Sequence, residues 1–248
     1  MNIPDKQHET PLWIAAISGR FDISKLLVDH GANVNISDVD NETPLWRAAS
    51  FGYLDVSKLL VDHGADINIP STRSGCTPLT IAANGKYYDV CKYMMLHALS
   101  VDYSKVGEYY GDLLCYASYH GDMELCQKLV QNLPQADVSM KSRDGKTALN
   151  VAAEEEQYDI LEYLLNQGAT WEDINKPIKD KLTPLYFVCR SGNIDWVEKL
   201  VKNFKADING EGCLQASIEF YHIKITEFLI KSGCNVNQVK LSKIHNII

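Results

Sequence analysis

Small and apolar residues recur along this chain in a rhythm of about 33 positions. TPLWIAAISGRFDISKLLVDHGANVN at Thr10 to Asn35 returns nearly intact as TPLWRAASFGYLDVSKLLVDHGADIN at Thr43 to Asn68. Inside each copy a capping residue is followed by a Leu and then two small residues, as in Ala15 with Ala16, Ala48 with Ala49, and Ala152 with Ala153. This predicts a short first helix that packs closely on its neighbours. Apolar residues at helical spacing then predict a second helix with a core-facing stripe, Ile23, Leu26 and Leu27 in copy one and Val56, Leu59 and Leu60 in copy two. Weaker copies start at Thr77, Asp112, Thr147, Thr183 and Gly212, so that seven copies follow at spacings of 33, 34, 35, 35, 36 and 29 residues. A period of this length marks a solenoid, whose units bury their apolar faces against one another.

The punctuation has the same register. Each copy starts on Thr, Asp or Gly, residues that cap a helix N-terminus or tolerate the bend there, and Pro11, Pro44, Pro78 and Pro184 occupy the first helical position, where a fixed φ helps and a missing N–H costs little. Gly19, Gly52, Gly121 and Gly192, nine residues after the cap, end the first helix in the left-handed conformation. Gly31, Gly64, Gly168 and Gly233 end the second. In copies three, four and six that last slot holds Ala98, Leu133 or Phe204, and Asn132 and Asn203 are the residues suited to take over the left-handed turn.

The motifs TPLW-x-AA-x-x-G and KLLVDHGA-x-N resemble the ankyrin repeat over essentially the whole chain. The resemblance implies an all-α ankyrin-repeat solenoid of β-turn fingers and antiparallel helix pairs, with fingers and first helices forming a concave face. Units are expected at about 5–37, 38–71, 72–106, 107–141, 142–177, 178–209 and 210–237 in a single array over 1–237, with 238–248 an apolar tail or the start of a further unit. The histidine usual three places after the cap is replaced by Trp13, Trp46, Thr80, Cys115, Asn150 and Tyr186, so its loop hydrogen bonds must be replaced or lost. The two tryptophans read either as packing or as a ligand-facing ledge. Copy seven has a shortened front, and its finger is expected to be missing. Both ends look unfinished, which favours a segment of a larger protein over a self-capping tail made by Leu241, Ile244, Ile247 and Ile248. Asn35, Asn68, Asn209 and Asn237 stand in the slot that some ankyrin proteins present to an asparagine hydroxylase, although hydrogen bonding of the turn is sufficient reason for them.

Composition narrows the function. The 46% hydrophobic and 23% charged fractions suit a soluble globular protein, and no apolar run reaches the roughly 20 residues of a membrane span. Met1 to Thr10 lack the features of a secretory signal. A formal charge of -8 argues against nucleic acid, whose binding needs Lys and Arg to displace counterions. Seven cysteines without a C-x-x-C pair read as reduced thiols of a cytoplasmic or nuclear protein. No phosphate loop, nucleophile elbow, H-E-x-x-H pair or paired-cysteine zinc motif is present, so neither an enzyme nor a cofactor or metal is expected. The register separates Cys115, His120 and Cys126 too widely for a zinc site, and His30 and His63 read as helix C-terminal residues favoured by the dipole.

What remains is a surface for another protein or peptide, on a chain expected to be a monomer. Interfaces concentrate their energy in Trp, Tyr and Arg. The two slots before the first turn hold Ser50 and Phe51, Tyr119 and His120, Glu154 and Glu155, Arg190 and Ser191, and Glu219 and Phe220. Copy four is the loudest irregularity, with Tyr103, Tyr109, Tyr110, Tyr116 and Tyr119 close together and Ser104 to Gly111 in place of the usual finger, read either as binding surface or as padding between units. Trp46, Phe51, Arg73, Tyr109, Tyr110, Tyr119, His120, Glu154, Glu155 and Arg190 are therefore the candidate partner-binding residues, with Tyr116 in the core. Glu9, Asp40, Glu42, Arg73, Asp144 and Lys146 are expected to form a polar rim that sets specificity and on-rate. TPLWRAASFGYLDVSKLL is similar to repeats of FEM-type receptors, which implies a ubiquitin-ligase substrate arm as one version, and a regulatory arm of a larger enzyme or channel is another.

Overall fold

The computed structural model describes residues 2–132, 137–175 and 182–239. Among these described residues fifteen α-helices follow in order: α1 Pro11–Ile17, α2 Phe21–Asp29, α3 Pro44–Ser50, α4 Leu54–Asp62, α5 Pro78–Asn84, α6 Tyr88–His97, α7 Tyr110–His120, α8 Met123–Asn132, α9 Ala148–Glu154, α10 Tyr158–Asn166, α11 Trp171–Asn175, α12 Pro184–Ser191, α13 Ile194–Lys202, α14 Cys213–Glu219 and α15 Ile223–Lys231. Apart from α11 they form seven consecutive pairs. None of the described helices is long and apolar enough to cross a membrane. The chain divides into two compact units, residues up to Tyr109 and residues from Tyr110 on.

In the first unit α1, α3 and α5 pack in a row and α2, α4 and α6 pair with them; in the second, α7, α9, α12 and α14 form the row, backed by α8, α10, α13 and α15. The close approach rests on the small residues, with Ala16, Ala48, Ala49, Ala82, Ala117 and Ala152 fully buried. Thr10, Thr43, Thr77, Thr147 and Thr183 each accept a hydrogen bond from the backbone N–H three residues on, satisfying an end that a seven- or eight-residue helix cannot satisfy itself. The first helices turn into the second through residues at positive φ. Gly19, Gly52, Gly121 and Gly192 fill this slot as expected, while Lys86, Glu156 and Tyr221 adopt φ of 61°, 56° and 60° in the copies without a glycine.

Several expectations are corrected. Asp112 is not a cap: α7 begins two residues earlier, and the buried Asp112 carboxylate pairs with the Arg143 guanidinium and accepts its backbone N–H at 2.8 Å. Gly111 is needed because a β-carbon there would lie 2.5 Å from the Lys141 carbonyl oxygen. Asn203 is right-handed at φ -92°, and Lys205, at φ 58°, makes the left-handed turn instead. Leu133 and the 240–248 tail lie outside the described residues. In copy one Ile23 and Leu26 are exposed, whereas Val56 and Leu59 at the same slots of copy two are buried, because copy two has a preceding helix pair to cover them. The extra helix α11 was not expected from the periodicity. Its signal was Thr170 with Asp173, a capping box in which the Thr170 N–H donates to the carboxylate at 2.7 Å and the Asp173 N–H returns to the threonine hydroxyl.

Candidate functional site

The slot of the missing histidine holds the copies together. The indole N–H of Trp13 donates to the Glu42 carbonyl at 2.9 Å, and that of Trp46 donates to the Cys76 carbonyl at the same distance. Glu42 and Cys76 each immediately precede the cap of the following copy. Cys115 donates its thiol to the equivalent carbonyl of Lys146 at 3.6 Å. Trp46 is therefore buried packing and not a ledge. Arg47 lies over both indoles, 4.8 Å from the Trp13 ring and 5.4 Å from the Trp46 ring, and its guanidinium pairs with Glu42 at 2.6 Å. Glu42 is buried, so it anchors this cation–π cluster and does not belong to a polar rim.

A second ladder joins the fingers. Asn35 donates to the Gly64 carbonyl and accepts the Asp66 N–H at 2.9 Å; Asn68 accepts the Asp102 N–H at 2.8 Å and donates to Ser100. Asn175 and Asn209 accept the Asp207 and Asn235 N–H groups in the same way in the second unit. Each asparagine thus bridges to the following copy, a longer reach than the local turn bonding expected of it. His30 and His63 are helix C-cap residues, each ring Nδ1 lying within 2.8 Å of the carbonyl four residues back.

Of the candidate binding residues, Tyr109 and Tyr110 are buried along with Trp46. The short 3-10 turns Tyr103–Lys105 and Gly107–Tyr109 replace the finger of copy four and carry Tyr109 inward, and the latter turn packs on α5. Tyr110 opens α7 and is almost fully covered, its phenol pKa raised by that burial. Tyr116 is half-buried rather than core, its ring 4.4 Å from that of His120.

The remaining candidates are accessible. In the first unit Phe51 is exposed at the end of α3, stacked on Tyr53 with ring centres 5.8 Å apart, and Arg73 is exposed on its finger. In the second unit a row runs along the ends of the first helices. Tyr119 and His120 close α7 with rings 5.0 Å apart; Glu154 and Glu155 close α9; Arg190 near the end of α12 lies 5.6 Å from the Phe220 ring at the end of α14. Lys146 reaches Glu154 at 2.8 Å, and this hydrogen bond holds the ammonium pKa above its ordinary value. His222 and the Arg190 carbonyl are 2.9 Å apart, tying the α14–α15 turn to the end of α12. Sequence reasoning did not list Phe220 among the binding residues, although its slot had pointed to it. An open cleft of about 340 Å³ is lined by Gly121, Met123 and the 156–160 segment, next in sequence to the ends of α7 and α9.

The row offers aromatic rings, a guanidinium and carboxylates at its surface. Cys115 and Cys126 are buried while His120 is exposed, and among the described residues no group of three or more His, Cys, Asp or Glu is placed to hold a metal ion. Burial pushes the Cys115 and Cys126 thiols up to about 12, away from nucleophilic use.

Comparison with known proteins agrees with this architecture. A family model described as "Ankyrin repeats (3 copies)" matches residues 1–71, 40–106, 102–176 and 169–240. Human palmitoyltransferase ZDHHC17 is 31% identical over 100 residues, 39% of this chain and 15% of that protein. The potassium channel AKT2/3 of Arabidopsis thaliana is 31% identical over 184 residues, 74% of this chain and 18% of the channel. The chain thus spans less than a fifth of the length of either relative. Among solved structures, the human ASB11 ankyrin repeat domain shares the fold with a TM-score of 0.52 and 21% identity, covering 89% of this chain and 97% of that one. From its repeats, its helix pairs and these matches, the chain belongs to the ankyrin repeat family.

Proposed function

We propose that this chain is a protein-interaction module that takes a partner peptide or protein on the exposed row at the first-helix ends of the second unit, with Phe51 and Arg73 offering a separate contact on the first. The observation that carries this reading is that Tyr119, His120, Arg190 and Phe220 are exposed while the helices that bear them are pinned by the buried small residues Ala117, Cys189 and Ala216. Rigid aromatic and guanidinium anchors lose little entropy on binding, which is why interfaces favour them. Glu154, Glu155 and Arg190 add mixed charge that selects among partners. The module works without a cofactor or a catalytic step, in the cytoplasm or nucleus. The test is to identify the partner by crosslinking and mass spectrometry in the native organism, then measure its affinity for the Tyr119→Ala, Arg190→Ala double variant. Affinity should fall at least tenfold with the circular dichroism spectrum and melting temperature unchanged; full affinity would sink the row as the site.

A second reading, a regulatory arm of a larger enzyme or channel, is favoured by the relatives, since both the palmitoyltransferase and the potassium channel match only through a fraction of their length. The full open reading frame decides it. The ubiquitin-ligase version rests on the FEM-type likeness of Thr43 to Leu60 alone, and would show as co-purification with a cullin or elongin subunit.

A further inference from the structure

The cleft at the turns after α7 and α9 lies within the second unit, and none of the proposed anchor residues lines it. Its volume of about 340 Å³ is at the lower end of the roughly 300–1,000 Å³ of ligand clefts, room for a side chain rather than for a helix. Two kinds of group line it. Met123, Tyr158 and Ile160 give it apolar wall. Tyr158 is fixed by residues that do not line the cleft: its ring stacks on Trp196 with centres 5.2 Å apart, and its hydroxyl lies 2.9 Å from that of Ser191. Glu156 and Asp159 supply the charge. Both are exposed, no cation lines the cleft, and neither carboxylate has an ion-pair partner among the described residues. Lys146 of the row is already paired with Glu154.

Asp159 has a local reason to be there. Asp22, Asp55, Asp89, Glu124 and Asp195 take the same place in the first turns of their helices, where a carboxylate complements the helix dipole. Glu156 has no such reason. Four copies put glycine in its slot, and Glu156 holds φ at 56°, a left-handed backbone that glycine adopts at lower cost. A second carboxylate at this slot serves the cleft rather than the turn.

We propose that the cleft takes a cationic side chain of the protein partner, arginine or lysine, with its methylenes against Met123, Tyr158 and Ile160 and its charged head between Glu156 and Asp159. The inference rests on the interaction-module reading and names the partner's chemistry: a basic peptide that passes the ends of α7 and α9. Charge complementarity selects this occupant. A metal ion is the poorer fit, since among the described residues no group of three or more His, Cys, Asp or Glu is placed to hold one.

Backbone-amide NMR of the 248-residue chain, titrated with the α-N-acetyl amides of arginine and of lysine, tests the cleft without the partner. Shifts should gather at Gly121, Met123 and residues 157–160. The acetyl amide of citrulline, which has the shape of arginine without its charge, should bind about tenfold more weakly, the loss of one hydrogen bond to a charged group. Glu156→Gln with Asp159→Asn should abolish the response. Glu156→Gln alone, outside the helix, should weaken it at an unchanged melting temperature, which separates lost recognition from lost folding. The Tyr119→Ala, Arg190→Ala variant should keep the response, so a failed row and a failed cleft are distinguishable. An absence of shifts at the cleft with both cations, or an equal response to citrulline, overturns the proposal. So does an identified partner whose affinity the Glu156→Gln, Asp159→Asn variant leaves unchanged.

Discussion

One backbone slot shows how residue choice in this protein is set by the neighbouring copy. Where a glycine ends the first helix, the side chain at the start of the next copy's second helix lies across it: a β-carbon at Gly52 would come within 2.3 Å of the Tyr87 ring. Where the slot holds Glu156, the corresponding residue of the next copy is Asn193, whose side chain turns away to accept the Trp196 N–H at 3.2 Å. The carboxylate has room, but its φ of 56° is still the left-handed region, which costs a residue with a β-carbon about 1–2 kcal/mol. Glu156→Gly should therefore stabilise by about 0.5–1 kcal/mol after the extra entropy of the unfolded chain is deducted. Gly52→Ala should destabilise by about 2 kcal/mol or more, since it adds a steric conflict to the same strain. Urea melts of the two variants check both, and a destabilised Glu156→Gly would refute the account.

At the level of helices and fingers, stability comes from contacts between copies, because helices of five to eleven residues are too short to persist alone. Buried alanines bring the first helices together, the Trp13 and Trp46 indoles tie each to the carbonyl before the next cap, and the asparagine ladder ties the fingers. Trp46→Phe keeps most of the apolar area but removes the indole donor from the Cys76 carbonyl, which keeps the Ser71 N–H at 2.9 Å, so the loss is that of one hydrogen bond, about 0.5–1.5 kcal/mol. Thermal melts should show a loss in that range with partner affinity unchanged. A lost affinity at unchanged stability would restore the ledge reading of this residue.

Over the whole molecule, the cysteines set an alkaline limit. All seven are free thiols, and only Cys76 is partly accessible, the others being buried. Burial raises Cys115 and Cys126 to about 12, against about 8.5 for an unfolded thiol. A raised folded pKa means that the native state retains protons the unfolded state releases. The stabilisation is complete below about pH 8.5 and is lost as pH climbs toward 12. The melting temperature should hold level up to about pH 8.5 and then fall, with a shallower fall in a Cys115→Ala, Cys126→Ala variant. A thiol reagent at neutral pH should modify one residue quickly, Cys76, and the rest only on unfolding; several fast thiols would contradict the burial.

The sequence by itself determined the family, the paired helices, the threonine caps and the glycine turns, because these depend on residues close together in the chain and repeat seven times over. It also picked out the accessible positions Phe51, Tyr119, His120 and Arg190, since neither of the two slots before the first turn is buried in any copy. Only the tertiary structure decided what depends on the neighbouring copy. Nothing local to Leu26 and Leu59, which stand in the same KLLVDHGA motif, reveals that one is exposed and the other buried. Tyr110 and Trp46 read as surface anchors by residue type, yet helix α7 starts early enough to draw Tyr110 inward, and the Cys76 carbonyl, 30 residues on, takes the Trp46 indole. Burial in a repeat protein belongs to the interface between copies, and that interface is written in two stretches of sequence at once.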